Sequence, residues 1–238
     1  MLKEAILITG AGQRIGLYLA KQVLLQTDYP VVFTYRTEKP GVAELKAMGA
    51  LGFQVDFTQP KSVAQLLTHL HQQVASLRAL IHNASVWVDD EAISDNSALF
   101  SQMLKVHVEV PYQLNMALKP LLDSSNSGLK DIIALTDCSI DLAKTEHIAY
   151  IASKAALQNM TKNFAKKYAP NIKVNSIAPG LIVFNQNDSD AYKKKRLMQS
   201  AIAIEPGEEV IWQAVWYLLN SGYTTGINLP VEGGKLLL

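Results

Sequence analysis

Short β-rich runs alternate with helical stretches along all 238 residues, and that alternation constrains the fold more than any single motif does. Ala5–Thr9, Val31–Tyr35, Gly52–Val55, Leu77–His82, Asp131–Thr136, Ile172–Ile177 and Ile227–Val231 read as strands. Between them apolar residues recur at helical spacing, as at Ile15, Leu19, Ala20, Val23 and Leu24 within Ile15–Gln26. Glu44–Met48, Ser62–Val74, Leu99–Leu122 (with an interruption near Pro111), Ala149–Tyr168 and Val210–Leu219 follow the same pattern. Strands that alternate with helices form βαβ units, whose parallel sheet is covered on both faces. The expectation is one α/β domain over residues 1–238, a doubly wound parallel sheet of about seven strands with helices on both faces. Strand order stays open at this point.

Charge and cysteine content exclude several classes. Lys and Arg total 22 against 21 Asp and Glu, a net charge of +1. That balance gives no field for wrapping nucleic acid or binding an anionic bilayer. The single cysteine, Cys138, permits neither an intramolecular disulfide nor an all-cysteine metal cage, and the five histidines show no metal-ligand spacing. No metal is expected. No leader is visible and no stretch approaches the ~20 apolar residues of a membrane span, so a soluble cytoplasmic protein is expected. The basic run Lys193–Arg196 reads as the solvated face of a short helix.

The turn between the first strand and the first helix reads Thr9-Gly10-Ala11-Gly12-Gln13-Arg14-Ile15-Gly16. Glycines there let backbone approach a pyrophosphate, and the helix N-terminus supplies N–H donors. An ordinary tight βα turn would use the same residues; the placement after a strand and before a helix favours the phosphate site. A dinucleotide site of this kind usually has an acid at the end of the second strand, to accept from the ribose 2′-hydroxyl. Here stand Tyr35, Arg36 and Thr37. Arg36, unless merely solvated, pairs with a 2′-phosphate, which favours NADP(H) over NAD(H).

Tyr150 and Lys154 are spaced i,i+4, on one helical face. A neighbouring ammonium stabilises phenolate, so Lys154 is expected to lower the Tyr150 pKa and make it a proton donor near neutral pH. The glycine turn, Asp56, Asn83-Ala84, Tyr150…Lys154, Asn175…Pro179-Gly180 and Thr225-Gly226…Gly233-Gly234 occur in that order. Together they resemble the short-chain dehydrogenase/reductase family over essentially the whole chain.

The resemblance implies a Rossmann-type fold and NADPH-dependent hydride transfer. It implies a cofactor held by Gly10, Gly12, Arg14, Ile15, Gly16, Arg36 and Thr37. It adds Asp56 near the adenine, Asn83 and Ala84 along the cofactor, Lys154 on the nicotinamide ribose, and Tyr150, Pro179 and Gly180 beside it. It also implies a homo-oligomer, dimer or tetramer, with the alanine-rich face of Ala149–Tyr168 between subunits. The departures are specific. Arg14 stands where the family has Gly, Asp137 where it has the catalytic Ser, and His107 where it has a helix Asn. With Ser85 and Trp87 in His82-Asn83-Ala84-Ser85-Val86-Trp87, these resemble the pteridine reductase branch. That likeness implies a small-molecule pterin substrate: a dihydropterin reduced at a ring C=N, with dihydrofolate a weaker substrate. It puts Tyr150, Lys154 and Asp137 in catalysis, Trp87 stacked on the pterin, Arg14 at its polar edge and over the cofactor phosphates, and Ser85 on the pterin amide or the cofactor. Asp137 opposes the effect of Lys154 on Tyr150, since a carboxylate disfavours phenolate. His107 is either a satisfied helix histidine or linked to Lys154 through water. The alternatives are an ordinary carbonyl reductase and a non-enzymatic NADP-binding sensor.

Overall fold

The computed structural model describes all 238 residues. Its elements are β1 (Ala5–Ile8), α1 (Arg14–Gln26), β2 (Val31–Tyr35), α2 (Pro40–Ala47), β3 (Leu51–Gln54), α3 (Pro60–Gln73) and β4 (Leu77–His82). There follow α4 (Asp90–Asp95), α5 (Ala98–Leu104), a π-helical turn (Lys105–Glu109), α6 (Val110–Ala117), α7 (Lys119–Asp123) and β5 (Lys130–Leu135). The chain ends with α8 (Ile148–Tyr168), β6 (Ile172–Pro179), α9 (Asp190–Leu197), α10 (Glu209–Asn220) and β7 (Asn228–Val231). All seven strands pair in parallel, in the order β3-β2-β1-β4-β5-β6-β7. The order reverses between β1 and β4, which opens a crevice at their C-terminal ends, where ligands bind in sheets of this kind.

Side chains alternate across a strand, so each strand feeds two cores. Ile6, Ile8, Phe33, Ile81 and Ile177 pack under Leu19 and Val23 of α1 and Trp212 and Val215 of α10. Leu7, Val32, Leu80, Ile132 and Val174 pack on the other face against Leu66 and Leu70 of α3, Leu114 of α6 and Phe164 of α8. The doubly wound sheet expected from the alternation is thus the one observed.

The segment read as one helix over Leu99–Leu122 is divided differently. Its main irregularity precedes Pro111: the Val110 N–H bonds the Lys105 carbonyl across a π turn that carries His107. Pro111 has no N–H to give, and its ring crowds the carbonyl four residues back, which is that of His107. A second break falls at Leu118, where Pro120 opens α7. The α2 helix that holds Glu44 begins at Pro40, because proline suits the first helical turn. The helix α4 has no apolar stripe to announce it; Asp89 caps it by accepting from the Ala92 N–H at 2.7 Å. The basic run lies on α9, which buries no residue, as its reading as a solvated face required.

Near the N-terminal ends of the strands, Asp131 is fully buried between two cations. Arg78 Nη1 lies 2.5 Å from Asp131 Oδ2 and Lys173 Nζ 3.0 Å from Oδ1. The same cations donate to the last carbonyls of α10: Arg78 to Leu219 at 2.7 Å, Lys173 to Leu218 and Ser221 at 2.6 Å each. Positive charge at a helix C-terminus satisfies orphan carbonyls and complements the dipole. No helix is long and apolar enough to cross a membrane.

Candidate active site

The glycine turn joining β1 to α1 is held from behind by β4. Gly10 has φ +68°, and a Cβ there would stand 2.8 Å from the Ala84 Cα. A Cβ on Gly16 would stand 2.4 Å from Asn83 Nδ2. The Asn83 amide donates to the carbonyls of Thr9 at 2.9 Å and Gly10 at 3.0 Å. Thr9 Oγ1 accepts from the N–H groups of Asn83 and Ala84, both at 3.0 Å. The side chain of Asn83 therefore braces the turn from behind. Gln13 makes no side-chain cap on α1, so the first N–H groups of that helix face the crevice free.

Arg14 adopts φ +52°, a conformation that glycine reaches without strain, so the relation of this position to a glycine is physical. Its guanidinium bonds Asn185 Oδ1 and, at 3.2 Å, the Val183 carbonyl. Those bonds bridge the turn to the segment after β6. No sequence pattern marks Asn185 as the partner, which lies 171 residues away. Gly180 packs under β7: its N–H donates to the Val231 carbonyl at 2.9 Å, and a Cβ would meet Glu232 at 2.9 Å. Pro179 ends β6 just before it.

Gly10, Gly12, Arg36, Thr37, Lys39, Asp56, Ala84 and Ser85 line one cleft along the crevice. Ile15 is not among its lining residues and stands half-buried in the first turn of α1. Tyr35 turns inward, its hydroxyl accepting from Lys46 at 3.0 Å. Arg36 is exposed at the rim and forms no ion pair with an acid. Lys39 stands beside it, bonded to Gln13. Asp56 Oδ1 accepts from the Thr58 N–H at 2.9 Å and its hydroxyl at 2.8 Å, which fixes the carboxylate at the cleft wall.

The second half of the site lies where β5 and α8 meet. Asp137 follows β5 and accepts from the Ser139 N–H at 2.8 Å and from the Tyr150 hydroxyl at 3.3 Å. Lys154, one turn along α8, donates to the Leu135 carbonyl at 2.8 Å, and its Nζ lies 5.7 Å from the Tyr150 ring centre. Burial, with Asp137 beside it, pushes the Tyr150 phenol well above its ordinary value. The expected lowering by Lys154 is thus outweighed, because the carboxylate is the charge in hydrogen-bond contact. Burial pushes the Lys154 ammonium down to about 8, against the pull of Asp137.

Two helices missed or only partly read from the sequence complete the site. His147 at the start of α8 is in the left-handed region, and α8 is capped from elsewhere. Asp90 of α4 accepts from the N–H groups of Ile148 at 2.9 Å and Ala149 at 3.3 Å, which fixes the turn before Tyr150. Trp87 is 62% exposed, its ring 4.3 Å from that of His147, so it is a surface wall and not a core aromatic. His107, on the π turn, touches Ser85 at 2.8 Å and Ser153 at 2.7 Å. With the Val86 N–H at 3.2 Å from Nε2, both ring nitrogens have protein partners, as a satisfied helix histidine requires. Burial and the Lys154 charge push its pKa down to about 2.

The family model for the short chain dehydrogenase matches residues 4–195. The dihydromonapterin reductase of Klebsiella pneumoniae subsp. pneumoniae is 44% identical over 232 residues, covering 98% of this chain and 96% of the relative. That of Enterobacter sp. is 43% identical over 235 residues, covering 99% and 98%. Among solved structures, 4-hydroxyisoleucine dehydrogenase complexed with NADH superposes with a TM-score of 0.90 at 23% identity, over 99% of this chain and 100% of the other. FolM alternative dihydrofolate reductase 1 from Brucella canis, complexed with NADP, gives 0.88 at 22% identity, over 100% and 96%. At these identities the two structures speak to the fold.

Proposed function

This chain belongs to the short-chain dehydrogenase family, and from that premise we propose that it reduces a dihydropterin, dihydromonapterin in the first place, with NADPH. The observation that carries the reading is Asp137 in contact with Tyr150: an acceptor stands where reduction of a ketone calls for a hydroxyl donor. Reduction of a ring C=N adds hydride to carbon and a proton to nitrogen. NADPH, when bound, supplies the hydride. Tyr150, kept as a neutral phenol, holds a transferable proton. Asp137 and the N–H of Ser139 fix its direction. Lys154 is anchored on the Leu135 carbonyl, one helical turn from Tyr150, and supplies the positive charge for the nicotinamide ribose. Trp87 offers the exposed flat wall for a pterin ring.

The residues present suit NADPH. The Gly10 N–H donates to Thr34 Oγ1 at 3.1 Å, Gly12 brings the turn to the cleft, and Arg36 and Lys39 border a ribose position that has no carboxylate of its own. Arg36→Ala should raise the NADPH dissociation constant by about 10–100-fold, the size of a charge-assisted hydrogen bond, and change NADH binding little. Fluorescence titration with each nucleotide measures this, and equal weakening of both rules out contact with the 2′-phosphate.

The direct test follows NADPH oxidation with a dihydropterin, with a small ketone and with no substrate. Turnover of the dihydropterin alone supports the reading; turnover of the ketone alone makes the chain a carbonyl reductase; NADPH binding without any turnover makes it a sensor. Trp87→Ala removes both stacking and buried area, so KM for the dihydropterin should rise more than about tenfold, beyond stacking alone. NADPH affinity should hold. An unchanged KM removes Trp87 from the pterin site.

The reading extends to a homo-oligomer in the cytoplasm. Phe100, Tyr112 and Met116 are 40%, 52% and 42% exposed on α5 and α6, an apolar surface that a second copy would cover. Sedimentation equilibrium at micromolar concentration checks it; a monomer ends the proposal.

A further inference from the structure

A polar chain, buried at His107 and Ser153, runs behind the cleft wall, outside the reduction chemistry described above. It joins Ser85, His107, Ser153 and the Tyr150 carbonyl, and its hydrogens can be assigned one by one. The Val86 N–H, which can only donate, points at His107 Nε2 at 3.2 Å. Nε2 therefore carries the lone pair. His107 is 1% exposed and neutral, so its one ring hydrogen sits on Nδ1. That hydrogen goes to Ser153 Oγ at 2.7 Å, and the Ser153 hydroxyl in turn donates to the Tyr150 carbonyl at 2.6 Å. On the other side, Ser85 Oγ lies 2.8 Å from Nε2, and only its own hydrogen can fill that contact. The Ser85 hydrogen is thus spent inward. What Ser85 turns to the cleft that it lines, and to the neighbouring Tyr150 hydroxyl, is lone pairs alone.

We propose that His107 is a positioning residue that fixes Ser85 as a hydrogen-bond acceptor toward the cleft, so that the site selects a substrate presenting an N–H there and rejects one presenting a bare oxygen or an alkylated nitrogen. The selection of an N–H edge rests on the dihydropterin reading; the orientation of His107 and Ser85 does not. The π turn matters because it carries His107 to this position, and the His107 ring meets the Tyr150 ring edge-on at 5.6 Å and 81°. A free serine hydroxyl rotates and serves donors and acceptors alike; this one has been deprived of that choice. Ser85 itself is exposed in the cleft, so discrimination comes from an acceptor that the wrong substrate covers from water and leaves unpaired.

The test has two arms. In the free protein, nitrogen-15 NMR of the histidines should show His107 with a pyridine-type Nε2 and a pyrrole-type Nδ1, unchanged from pH 5 to 8 (a window of about three units around the ordinary histidine pKa). Ser85→Ala should shift the Nε2 resonance and leave Nδ1 in place. A pyrrole-type Nε2, or a titrating ring, overturns the proposal. In the second arm, KM and kcat are measured for a dihydropterin and for its analogue methylated on the amide nitrogen. His107→Phe and Ser85→Ala should each raise KM for the parent about tenfold, the scale of one hydrogen bond, and reduce the preference over the methylated analogue by a similar factor. The double variant should show no further loss, because both changes remove one contact. His107→Gln, which keeps an acceptor for Val86, guards against a His107→Phe protein that fails to fold. Additive losses, or an effect on kcat with KM unmoved, overturn the selection of an N–H. If the wild-type protein reduces no dihydropterin, the substrate reading and the selection of an N–H both fail, and the NMR arm still decides the Ser85 orientation.

Discussion

Tyr150→Phe is expected to lower kcat for the dihydropterin by about 10²–10⁴-fold, the usual weight of a positioned general acid, with NADPH affinity kept. In the proposed reaction the phenol gives up the proton: burial and Asp137, 3.3 Å away, hold it protonated. The ring remains in the phenylalanine variant, so packing against His107 survives and only the hydroxyl is lost. Steady-state rates together with a nucleotide titration separate chemistry from binding. A kcat near the wild-type value makes a bound water the donor and reduces Tyr150 to a wall of the site. The pH profile supplies an independent check. Lys154 is charged below its value of about 8 and neutral above it. In the proposed reaction the cation serves cofactor binding, so kcat/KM, which reports the free enzyme, should fall as pH rises through about 8. Lys154→Met should remove that limb and weaken both binding and rate. Stability has the opposite sign: the folded pKa lies below the ordinary lysine value, so unfolding takes up a proton between the two, and the native state gains as pH rises from about 8 toward 10.5.

The largest expected effect on stability lies at the other end of the sheet. Asp131→Asn leaves Arg78 and Lys173 buried without their counter-charge, a change that costs about 3–5 kcal/mol when one partner of a buried pair is removed. In a domain of this size that lowers Tm by roughly 10 °C or more. Thermal and urea denaturation measure it, and a loss below about 1 kcal/mol would show that the remaining carbonyl contacts of the two cations suffice. The carboxylate sits at the N-terminal ends of the strands and the chemistry at the C-terminal ends. The surviving folded protein should therefore keep its KM values.

What was legible in the sequence follows from what periodicity and spacing can carry. The seven strands were readable because both faces of the sheet are covered, which makes runs such as Ala5–Ile8 apolar throughout. Tyr150 and Lys154 were readable because one turn of helix fixes their relation. The ordering of the strands was not, since adjacency is set by crossovers that no local pattern records. The π turn was displaced in the reading to Pro111, its cause in sequence, while the deformation itself falls on the preceding turn. The partners of Arg14, Val183 and Asn185, were not legible because they come from a segment far along the chain. The sign of the Tyr150 shift was the most instructive case. Residue types named both Lys154 and Asp137 as influences, and only distance and burial decided between them.

The wide turn at Lys105–Glu109 has a meaning in terms of helical phase. Each residue of an α-helix advances the direction of its side chain by about 100°, so one additional residue in a turn rotates everything downstream by that angle. The segment after it aims Val110 and Leu114 into the core beneath α3, while His107, within the turn, addresses α8 and the cleft. An uninterrupted helix would bind those two orientations in a fixed relation. The offset uncouples them, so that the register serving the hydrophobic interior and the register serving the serine wall are satisfied on a single rod.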